Sequence, residues 1–80
     1  MKVGDPKQAA LAEKRADAKE LCLMRLRAVP REKREQAAEA ILALAEPEWW
    51  ERRHKGSDVF LLILESRKEA VLAIMAKAMA

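Results

Sequence analysis

Three prolines, at positions 6, 30 and 47, divide a chain that has little else to stop a helix. Proline is tolerated in the first turn of a helix and breaks its interior, so each one marks a beginning. Between them, 58 of the 80 residues are Ala, Leu, Glu, Lys, Arg, Met or Gln, the strong helix formers. Thr, Asn and Tyr are absent, and Val plus Ile number only seven, which excludes a β-rich fold. An apolar content of 51% excludes disorder throughout. The expected fold is a single all-α domain over residues 1–80, a small bundle of three to four helices with Pro-defined corners at 30 and 47. The expected helices run over about 6–28, 31–45, 47–55 and 58–79.

Helical periodicity assigns the faces. In the first helix, with Asp5 as N-cap, Leu11, Ala18, Cys22, Leu26 and Val29 form one apolar stripe. In the second, Ala37, Ala38, Ile41, Leu44 and Ala45 share a face and Leu42 points away. Gly56 reads as the terminator of a short third helix, after the basic run Arg52-Arg53-His54-Lys55. Ser57 or Asp58 then caps the last helix. Its face is expected to hold Phe60, Leu61, Leu64, Val71, Ile74, Met75 and Ala78. Arg67 and Lys68 interrupt that face, so they either snorkel or mark a bend at 65–68.

The charge is +3, and all of that excess lies in residues 1–29; residues 30–80 balance. This is mildly basic, short of a dedicated nucleic-acid binder. No segment approaches the length needed to cross a bilayer, and no membrane association is expected. One Cys fits a reducing compartment, so the cytoplasm is expected. A chain this short builds a marginal core, which dimerisation or a bound partner would enlarge.

Catalytic chemistry finds little material. With Gly only at 4 and 56, no phosphate-cradling loop exists. One His and one Cys make no metal cluster, and no cofactor is expected. His54, Ser57 and Asp58 hold the residue types of a hydrolase triad, but they crowd a helix end, where capping is the commoner use. Glu32 and Glu35 alternate with Lys33 and Arg34 as a solvated face. No enzyme is expected.

Surfaces are more informative. Trp49 and Trp50 point about 100° apart on a helix, so one ring belongs to the core and the other to its edge or to a partner. At i,i+4 spacing Trp49 can stack on Arg53 and Trp50 on His54. The bland alternative is that both rings close the core; of the two, Trp50 is assigned the structural role. Leu23, Met24, Leu62, Ile63, Met75 and Met79 exceed one stripe per helix, which suggests a second buried surface. The expected function is therefore a non-catalytic protein-interaction module: a small adaptor, regulator or inhibitor that binds through an apolar helix face edged by Arg. Its candidate contacts are Trp49, Arg52, Arg53, Leu23, Met24, Leu62 and Ile63. A homodimer through 60–64 or 21–24 is expected beside a protein partner. The alternative is a small DNA-binding regulator, weak and salt-sensitive, using Arg25, Arg27, Arg31, Lys33 and Arg34 around the Pro30 corner. It lacks the Gly-containing turn and the polar recognition helix of a helix-turn-helix. The size and composition would also suit a phage or mobile-element accessory gene.

Overall fold

A computed structural model describes residues 6–80, with side chains from residue 9. Asp5, expected as the first N-cap, lies outside the described residues. Among the described residues the fold is all-α, with five helices rather than three or four: α1 (Pro6–Arg25), α2 (Arg31–Leu42), α3 (Pro47–Arg52), α4 (Gly56–Ser66) and α5 (Lys68–Met79). α4 packs against all four other helices; α1 packs against α2, α3 and α4, and α5 lies on α2 and α4.

The α1 stripe forms as its periodicity requires. Ala18, Cys22, Leu26 and Val29 are buried, and Leu11 packs at the edge of the same core. The helix nonetheless ends at Arg25, not near 28. Single-turn bonds from Leu26 N–H to the Leu23 carbonyl (3.1 Å) and from Val29 N–H to the Leu26 carbonyl (3.0 Å) tighten the chain into the Pro30 corner. The carbonyls freed there are not left bare. The Arg34 guanidinium donates to the carbonyls of Val29 (3.0 Å) and Arg27 (3.2 Å). In α2, Ala37, Ala38 and Ile41 are buried as expected. Leu42 differs: it is half-buried against the core instead of pointing away.

α3 is shorter than its expected span, ending at Arg52. Lys14 of α1 donates from Nζ to the Trp50 carbonyl at 2.7 Å, placing a cation at the C-terminal end of α3. The chain then runs extended through Arg53 and Lys55 to deliver Gly56 onto α1. Gly56 is therefore not the terminator of α3 but the buried first residue of α4. Its φ is not positive. What glycine supplies is proximity: an added Cβ would collide with the Lys14 carbonyl oxygen and stand 3.0 Å from the Ala18 nitrogen. Neither Ser57 nor Asp58 caps α4; Lys55 occupies the N-cap and no side chain bonds there. Asp58 sits in the first turn, where its charge suits the helix dipole.

The last expected helix is two helices. Arg67 adopts φ −123° and ψ 35°, and the chain bends there instead of letting the cations snorkel. A straight continuation would carry Arg67 along the apolar face. With the bend, Arg67 lies over the Trp49 ring (5.7 Å to its centroid) and pairs with Glu46 at 2.7 Å. α4 and α5 then take independent registers. Val59, Phe60 and Ile63 are buried in α4, Val71 in α5, and Leu61, expected inside, is 50% exposed.

The result is a slab. Its Cα extents are 44 × 28 × 15 Å and its radius of gyration is 13.3 Å, against about 12 Å for a globular chain of this length. Its accessible surface is 6098 Å², whereas a globular protein of this mass exposes about 4,900 Å².

Candidate partner-binding surface

Among the described residues the exposed large apolar side chains are Met24, Leu61, Leu72 and Met79. Three of them wall two adjacent grooves. One groove, about 350 Å³, lies between α1, α4 and α5; Cys22, Leu26 and Ile41 line it with Leu64, Leu72 and Met75. The other, about 400 Å³, runs between α1 and α4, where Leu21 and Met24 face Leu61. Arg25 and Phe60 line both, so the two adjoin. Arg25, Arg27 and Lys68 supply the charge of this face, and no carboxylate lines either groove.

The surface arises from local rules. Met24 and Arg25 close α1 on the sides away from its buried stripe, because residues between stripe positions must point elsewhere. Leu61 follows buried Phe60 by one residue and so turns about 100° outward. Leu72 does the same after buried Val71. Cys22 is in the floor. Desolvation raises its thiol to about 11, so it is an apolar lining group and not a thiolate nucleophile at neutral pH.

The structure gathers only part of the expected contact set. Met24 lies on the grooved face, 56% exposed. Leu23 packs against the core and lines a third, shallower groove with Met24, Arg27, Arg31, Arg34 and Glu35, which adjoins the second groove through Met24 and Arg27. Ile63 is fully buried, so it cannot touch a partner; the α4 register set by the Arg67 bend turns it into the core. Leu62 is half-buried and lines neither apolar groove. Trp49, Arg52 and Arg53 also lie outside both. Trp49 is half-buried beneath Arg67, not stacked on Arg53, and Arg52 reaches back to Glu48 at 3.6 Å. Trp50 is buried, with Arg15 rather than His54 over its ring, at 5.7 Å.

The basic corner is partly gathered: Arg27, Arg31 and Arg34 line one shallow groove with Glu35. Arg34 is committed to backbone carbonyls, and Lys33 donates to the Ala80 carbonyl at 3.4 Å. Arg25, Arg27 and Arg31 remain exposed. The sequence placed Leu61 both on the inward face and within a 60–64 contact segment, and it gave neither Leu72 as a surface group nor Lys68 as part of the rim. A signal for Leu72 was present: Leu72, Met75 and Met79 recur at i, i+3 and i+7, a second stripe beside Val71, Ile74 and Ala78.

Among the described residues no cluster of His, Cys, Asp and Glu could hold a metal ion, and no helix is long and apolar enough to cross a membrane. The chain matches no protein-family model, no curated protein and no solved structure.

Proposed function

We propose that this protein is a non-catalytic interaction module, an adaptor, regulator or inhibitor whose working surface is the grooved face of α1, α4 and α5. One observation carries the reading: Met24, Leu61 and Leu72 stand half or more exposed around two adjoining apolar grooves, while the other large apolar groups described mostly pack on the core. Grouped apolar exposure of this kind is the usual mark of a contact surface, whereas scattered exposed residues are not. The DNA-binding alternative gains less support: Arg34 is engaged with backbone carbonyls, and a carboxylate, Glu35, lines the groove it shares with Arg27 and Arg31.

The test is affinity capture from a lysate of cells that express the protein, with and without nuclease, using the wild type and a Leu61→Ser/Leu72→Ser double variant. Both residues are exposed, so the variant should fold. Nuclease-resistant capture of a protein, lost in the variant, is the expected result. Capture abolished by nuclease, or unchanged in the variant, would overturn the reading.

A further inference from the structure

The lining of the two grooves is apolar and cationic, with no acidic side chain in either. Among the described residues, Arg25, Arg27 and Lys68 take part in none of the ion pairs, which involve Lys19, Arg52 and Arg67. Resting on the interaction reading above, we infer that the occupant of this face is an acidic amphipathic helix of a different protein, seating apolar side chains in the grooves and carboxylates against Arg25, Arg27 and Lys68.

The alternative occupant closest to hand is a second copy of the chain. A two-fold contact presents the same patch from both subunits. It would set three cations from each copy around one apolar seam with no carboxylate in the lining to pair them. Like charges brought together in a desolvating contact cost several kcal/mol, so this charge pattern works against a symmetric dimer through the face. An acidic helix meets the opposite condition. Its backbone hydrogen bonds are already satisfied, so only side chains need partners. Anchors at i, i+3 or i+4, and i+7 reach along a groove between helices. The concavity also selects a protruding ridge over a flat surface: the two hollows, of about 350 and 400 Å³, accept side chains.

Two fluorescein-labelled peptides of about 15 residues, helix-stapled because free helices of that length are marginal, provide the probe. They share a Leu stripe and differ only in flanking residues, Glu in one and Lys in the other. Fluorescence anisotropy with the full chain should show the Glu peptide binding at least about tenfold tighter, as complementary charge around a shared apolar contact requires. That preference should shrink as salt rises from roughly 50 to roughly 500 mM. The Leu61→Ser/Leu72→Ser variant should lose binding of both peptides. Arg25→Glu/Arg27→Glu should reverse the preference while circular dichroism remains that of the wild type. Equal binding of the two peptides, or tighter binding of the Lys peptide, overturns the inference. So does a dimer in sedimentation equilibrium that Leu61→Ser/Leu72→Ser dissociates, which assigns the face to a second copy. Binding to phosphatidylglycerol vesicles without discrimination between the peptides overturns it in favour of a lipid surface. If neither peptide binds while lysate capture still depends on Leu61 and Leu72, the acidic helix is rejected and the interaction reading stands.

Discussion

At Gly56 a single missing carbon sets how closely two helices approach. The Lys14 carbonyl and the Ala18 nitrogen occupy the space where a Cβ would stand. Gly56→Ala brings two opposed effects. Alanine raises helix propensity by about 1 kcal/mol at most, and less in a first turn. Forcing α1 and α4 apart in a packed core costs on the order of 1–3 kcal/mol. The second effect is larger, because the obstruction is backbone and cannot rotate away. Urea denaturation followed by circular dichroism should therefore give a lower midpoint for Gly56→Ala. A midpoint equal to the wild type would show that glycine does not set the α1–α4 spacing. Local rules read this residue as a helix terminator, since a glycine after a basic run is the usual C-terminal signal. Its actual partner, Lys14, is too distant in sequence for any local pattern to reveal.

The elements divide in the same way. Ala18 and Cys22 of α1 and Ala37, Ala38 and Ile41 of α2 were legible because they lie within unbroken helices, and the single-turn bonds after α1 keep Leu26 and Val29 on the buried side. The α4 and α5 faces were misassigned in part because one period was fitted across Arg67, whose bend is held by Trp49 and Glu46 from another part of the chain. The grooved face was only half legible for the same reason: Met24 stood out, while Leu61 changed sides once α4 had its own register. Between α1 and α2, the Lys19 ammonium reaches Glu35 and Glu39, each at 2.9 Å. The hydrogen bond from Lys19 lowers the Glu35 carboxyl, and the bonds to Glu35 and then Glu39 raise Lys19 above 10.5. A lowered carboxyl adds stability above its unfolded value and loses it as pH falls through the folded one. A raised ammonium adds stability below its unfolded value and loses it as pH rises through the folded one. Glu35→Gln should thus lower the melting temperature slightly between those limits. The difference from wild type should close below the carboxylate range and again in strong alkali. Added salt should shrink it, because the Glu35 side chain is 74% exposed. A difference that persists in acid would mean the pair does not tie the two helices.

For the molecule as a whole, α4 touches all four other helices and α1 touches three, so the two share one core. Trp50 lies in that shared core, 4% exposed, while Trp49 lies half-buried at its edge. Trp50→Ala should cost about 3–5 kcal/mol. The whole stability of a chain this size is about 4–12 kcal/mol, so helicity should fall in a single transition at much lower temperature. Trp49→Ala should keep the wild-type helicity at room temperature and melt only modestly earlier. Equal melting of both variants would make the pair one core unit. The slab shape also bears on how this protein travels through solvent. At 44 × 28 × 15 Å it drags more water than a sphere of the same mass. A single chain will leave a gel-filtration column ahead of a globular 9.1 kDa standard. Early elution is therefore a statement about friction, and only a measurement of mass counts subunits.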